Sequence, residues 1–149
     1  MKESRYIEVT EELVKCFFDT IEKHFPSYQN LNIKLIFDTK KRVSKGKLTL
    51  ANIEVPNPKM QYFQQSKELP SGFDYILIVD KMAWESSTED EKENIIRHEL
   101  SHIFVDEEND KCKLLSHDYC VIKYELDNID WASKLAEITL AKYEMSKGA

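Results

Sequence analysis

The sequence predicts an α+β protein in which a small mixed sheet packs on one helix and further helices follow toward the C-terminal end. Three observations predict it. Leu13, Phe17 and Ile21 recur every four residues near the start of the chain, the spacing of one helical face. Two alternating segments and one continuous apolar run then fall between residues 32 and 80. Helical patterns return from residue 88 onward, so helices and strands are grouped rather than strictly alternated.

The first helix is expected over residues 10–24, with Thr10 as its N-cap and Pro26 just past its end. A strand over 32–37 places Ile33, Leu35 and Phe37 on one side. A second over 47–55 carries Leu48, Leu50, Ile53 and Val55, with Gly46 at its entrance. Pro56 and Pro58 break regular structure, and residues 56–72 read as an irregular connection with one short helical turn. A connection of that length often walls a binding cleft. Residues 73–80, FDYILIVD, form a nearly continuous apolar run, as in a strand inside a sheet.

Thr88 opens the second helix. Glu91, three residues on, completes a capping box, and Glu89 and Asp90 place negative charge at the positive end of the helix dipole. The helix is expected to run to about residue 104, with Ile95, Ile96, Leu100, Ile103 and Phe104 on its apolar side. Residues 106–116 are polar and read as a loop. Two more helices are expected over 117–126 and 130–145, the last with Trp131, Leu135 and Ile138 on its apolar face.

A chain of 149 residues is the size of one domain and can bury a core without disulfides. The net charge of -6 argues against binding a nucleic-acid backbone. The one basic run, Lys40-Lys41-Arg42 with Lys45 and Lys47, reads as the solvated end of a strand and its turn. Cys16, Cys112 and Cys120 cannot all pair within the chain. The first residues carry no apolar signal region and no stretch is long enough to span a membrane, so a reducing, cytoplasmic location is expected. Cys16 reads as a small core residue of the first helix.

The second helix carries His98-Glu99-Leu100-Ser101-His102. Residues four apart on a helix differ by about 40° around the axis and one turn along it, so both imidazoles can converge on one zinc ion. Glu99 points partly away. It is better placed to meet a zinc-bound water than the metal, and its carboxylate can take the proton as that water attacks a carbonyl. A catalytic zinc needs a third protein ligand. His117 is the first choice, since three of the four histidines fall between positions 98 and 117. Asp118, Asp106 and Glu125 are weaker candidates, and Asp118 could instead hold an imidazole from behind. His24 lies at the end of the first helix and is set aside. One rival site uses sulfur: His98, His102, Cys112 and Cys120 would make a closed zinc site, and the protein a non-catalytic binding module or regulator. That arrangement gives Glu99 no task.

The stretch FDYILIVDKMAWESSTEDEKENIIRHELSHI, followed by His117-Asp118, resembles the phage metallopeptidases, small single-domain zincins of phages, prophages and bacteria. The shared pattern is a strand ending near Asp80, Trp84 in the turn, the acidic helix start at Glu89 to Glu91, the H-E-x-x-H helix and the later His-Asp. The resemblance implies a zincin-like fold, with His98, His102 and His117 as zinc ligands, Glu99 as catalytic acid/base, and a peptide or protein as substrate. The family often has an acidic residue and an aromatic beyond His-Asp, where this chain reads Tyr119-Cys120-Val121-Ile122. SprT-type proteases are a more distant likeness. They act at DNA, and this chain has neither their basic surface nor a zinc-ribbon tail. Tyr119 and Tyr124 are both candidates for steadying the oxyanion.

Overall fold

A computed structural model describes residues 4–44, 46–115 and 130–147. In chain order its elements are β1 (Tyr6–Glu8), α1 (Glu11–His24), a 3-10 turn (Pro26–Tyr28), β2 (Ile33–Asp38), β3 (Val43–Ser44), β4 (Lys47–Leu48), β5 (Ala51–Glu54), α2 (Pro58–Gln64), β6 (Tyr75–Asp80), α3 (Lys81–Ser86), α4 (Glu89–Leu100), β7 (Ile103–Asp106), β8 (Lys111–Leu114) and α5 (Asp130–Lys147). The fold is α+β. The expected helix over 117–126 lies outside the described residues.

The main sheet has the order β1-β2-β6-β5 and is mixed. β2 and β6 run parallel, from Ile33 opposite Tyr75 to Asp38 opposite Asp80. β1 and β5 flank them antiparallel. All six residues of β6 are buried, which explains the unbroken apolar run in the sequence. Leu35, Phe37, Ile53, Tyr75, Leu77 and Val79 share one core with Leu13, Phe17 and Ile21 of α1 and with Ile95, Ile96 and Leu100 of α4. The sheet therefore packs against the helix that carries the H-E-x-x-H sequence.

Local signals account for the helix starts. The Thr10 hydroxyl accepts from Leu13 N at 3.3 Å. Thr88 and Glu91 form the reciprocal capping box, with bonds of 2.9 and 3.2 Å. Asp80 ends β6 and at once caps α3, accepting from Ala83 N at 2.9 Å. This short helix was not expected. It turns Trp84 into the core, where its indole N–H donates to Glu12 at 3.2 Å.

Other expectations need correction. The segment 47–55 is two strands, because β4 turns away to pair with β3 while β5 joins the main sheet. Residues 56–72 hold the two-turn helix α2, capped by Asn57. α4 stops at Leu100 and not near 104. The polar stretch after it is no loop: β7 and β8 form an antiparallel hairpin. Phe104 is consequently exposed rather than part of an apolar helix face. On α5 the buried row is Leu135, Thr139 and Tyr143, every fourth residue, and Ile138 faces solvent. The basic run is also engaged: Arg42 pairs with the fully buried Asp38 at 3.1 Å and Lys41 with Glu144 at 3.0 Å. Among the described residues no helix is long and apolar enough to cross a membrane.

Candidate metal centre

α4 delivers His98 and Glu99 from its last turn. His102 lies just beyond the helix, yet it keeps the helical path. Ser101 N donates to Arg97 O at 3.1 Å and to His98 O at 3.2 Å, and His102 N donates to Glu99 O at 3.1 Å. The ladder thus tightens from i−4 to i−3 before the chain enters β7, a common way for a helix to end. One turn still separates the two imidazoles.

Their rings meet at 75° with centroids 4.9 Å apart, and the two Nε2 atoms are 3.2 Å from each other. Two nitrogens on a tetrahedral zinc at bond lengths of about 2.0–2.1 Å are about 3.3 Å apart. The pair is therefore spaced as two ligands of one ion.

The other face of His102 fixes which nitrogen is available. Its Nδ1 lies 2.7 Å from the carbonyl oxygen of Leu115. A carbonyl only accepts, so Nδ1 is the donor of this bond, and Nε2 is the ring nitrogen that faces His98. Leu115 N in turn donates to His102 O at 2.7 Å. The two residues clasp each other across the base of the β7–β8 hairpin. This is the outer support that metal-binding histidines commonly have.

Both imidazoles and Glu99 open onto a cleft of about 590 Å³. One wall is the chain from Lys47 to Ile53, which includes β4 and the start of β5. The rest of the lining comes from Leu114, Leu115 and the first turns of α5 with Trp131, Ala132, Ser133 and Ala136. Glu99 is 8% exposed and His102 7% exposed, so both groups are largely shielded while lining the cleft. Most other lining residues are apolar, among them Leu48, Leu50, Ile53 and Ile95.

The structure brings together three of the expected site residues: His98, Glu99 and His102. His117 lies outside the described residues, as do Asp118, Cys120, Tyr119, Tyr124 and Glu125. Among the described residues no cluster of three or more His, Cys, Asp or Glu side chains is placed to hold a metal. Asp106 sits at the far end of β7, bonded to Asn109 and to Lys113 at 3.2 Å. Cys112 packs against the core from β8, within bonding reach of the Tyr75 phenol, and does not line the cleft. Burial raises the pKa of its thiol. His24 meets Glu93 at 3.0 Å, away from the cleft. The cleft wall from Lys47 to Ile53 was not anticipated. Its only sequence signal was strand alternation, which does not say what the strand faces.

A family model described as "Putative phage metallopeptidase" matches residues 4–142. The chain belongs to that family. The match runs far beyond the motif and its neighbours, and takes in β1, the sheet and most of α5. No curated protein and no solved structure gives a significant match. Membership in a metallopeptidase family implies a metal and a peptide or protein substrate. The His98–His102 pair fits a metal on its own geometry.

Proposed function

We propose that the protein is a zinc-dependent peptidase in which His98 and His102, with His117 as third ligand, hold the ion and Glu99 serves as general base and acid. The observation that carries this reading is the pair of Nε2 atoms 3.2 Å apart, one of them oriented by the Leu115 carbonyl, beside a shielded carboxylate on the same cleft. The chemistry that zinc supplies in such a site is Lewis-acid polarisation of a carbonyl and acidification of water.

The chain's own groups supply the rest. Glu99 takes the proton of the attacking water and returns it to the departing amine, work for which a carboxylate on a sheltered wall is suited. β5 is the terminal strand of its sheet, and among the described residues its outer edge pairs with no strand. A substrate in extended form can add to that edge by backbone hydrogen bonds. The apolar lining then favours a substrate side chain without charge.

Elemental analysis of the purified protein should give about one zinc per chain. Glu99→Gln should retain that zinc and lose hydrolysis of casein or of a fluorogenic peptide library by about 10²–10⁴-fold. A folded protein that is metal-free and indifferent to chelator would end the reading, and hydrolysis retained by Glu99→Gln would remove Glu99 from its role. The alternative, a non-catalytic zinc module, requires a fourth protein ligand in place of an open position. Loss of zinc on Cys112→Ala or Cys120→Ala, with none on His117→Ala, would favour it.

A further inference from the structure

His102 is aimed by a backbone carbonyl, so its orientation is only as good as the position of Leu115. That residue directly follows β8, in a hairpin whose two strands have four residues each. A lone two-stranded ribbon is marginally stable in water. Its own ladder is a weak guarantee of where Leu115 sits.

Two tyrosines from separate elements hold this hairpin. Tyr75, fully buried at the start of β6, donates its phenol to Lys113 O at 3.0 Å, with Phe104 O at 3.4 Å. Phe104 and Lys113 face each other in the hairpin ladder, so one hydroxyl touches both strands. Burial raises the Tyr75 pKa and keeps the group a donor. Tyr28, in the 3-10 turn after α1, donates to Ile103 O at 3.2 Å. Ile103 is the residue after His102, and Lys113 is two before Leu115. Both attachments therefore lie within two residues of the clasp. The rings alone would fill the same space as phenylalanine; what the hydroxyls add is contact with the hairpin backbone.

We propose that Tyr75 and Tyr28 are positioning residues that pin the β7–β8 hairpin, and through Leu115 O hold His102 in the tautomer and direction that binds the metal. The proposal rests on the zinc reading above, and the test separates the two. Zinc affinity is measured by competition with a chromophoric chelator for wild type, Tyr75→Phe, Tyr28→Phe and Tyr143→Phe. Tyr143→Phe is the control, since it removes a buried phenol bond of 2.8 Å to Asp80 on another part of the fold. Tyr75→Phe should weaken zinc binding about tenfold, the low end of what outer supports contribute, and Tyr28→Phe, with one longer bond to the hairpin, about threefold. The control should bind as wild type does.

Two-bond proton–nitrogen correlation in the metal-free protein gives a second readout. Wild-type His102 should be protonated at Nδ1, and the two variants should show a mixture of tautomers. Wild-type affinity and an unmixed tautomer in both variants, whatever their loss of thermal stability, would overturn the proposal. If Tyr75→Phe does not fold, Tyr28→Phe decides alone. If His102→Ala binds zinc as tightly as wild type, the zinc reading itself fails and the proposal with it.

Discussion

Leu100 and Phe104 are four residues apart and fall on one side of the helix that the sequence suggests, but the structure separates their environments. Leu100 closes α4 and is 0% exposed, whereas Phe104 belongs to β7 and is 46% exposed. Leu100→Ala removes three buried carbons from between α4, α1 and the sheet, where packed neighbours leave little room to collapse. The expected loss is about 3–4 kcal/mol, transfer and cavity together. With 149 residues and about 2.1 cal/mol/K of unfolding entropy per residue, that lowers Tm by about 10–13 °C. Phe104→Ala gives up about half the burial of a phenyl ring, about 1 kcal/mol or about 3 °C. Urea unfolding followed by the fluorescence of Trp84 and Trp131 measures both, with chelator present so that metal linkage does not contribute. Similar losses at the two positions would refute the reasoning, because they would mean that the helix and its apolar stripe continue through Phe104.

Thr88→Ala removes one half of the α4 capping box and should cost about 1 kcal/mol in the same unfolding assay, while Ser87→Ala, which only returns a hydroxyl to Ala83 O, should cost less. Burial works to raise the pKa of Asp38, but Arg5 at 3.0 Å and the Lys40 amide at 3.0 Å outweigh it and leave the value below the ordinary one. Its contribution is thus present above the unfolded carboxylate pKa and is lost as pH falls through the lower folded value. Stability measured against pH should fall below about pH 4 in wild type, and Asp38→Asn should flatten that limb. Zinc held at a hundred times its dissociation constant should add about 2.7 kcal/mol, or about 9 °C of Tm, an increment that chelator or His98→Ala removes.

What could be read from the sequence was whatever a side chain announces locally. Thr10, Thr88 and Glu91 mark helix starts by their own hydrogen bonds, the 73–80 run announces a strand buried on both faces, and two histidines four apart on a helix announce that their rings will sit side by side. The end of α4 was illegible because Ile103, Phe104 and Val105 suit a helix face and a strand equally. The hairpin hid behind its polarity: its strands are half-exposed, and its turn depends on Asp110 adopting a left-handed φ of 51°, which Asp tolerates without a glycine to advertise it. The carbonyl that orients His102 belongs to the backbone of Leu115, and a backbone group leaves no trace in residue identity. On α5 Leu135 is buried and Trp131 packs on the core as the pattern suggests, but Ile138 is exposed, because the row continues through Thr139 to Tyr143, which bonds Asp80, a partner 63 residues away.

The parallel pairing of β2 with β6 has a kinetic consequence. Ile33 finds Tyr75 across 42 intervening steps of chain, and β5, the wall of the cleft, can join only once β6 is in place. Closing so long a segment must precede the contacts that reward it. The His98–His102 pair itself is local, four residues apart on one turn, but the surface facing it is assembled from distant parts. Zinc bound to the finished site should therefore leave the refolding rate nearly unchanged and appear almost wholly as slower unfolding.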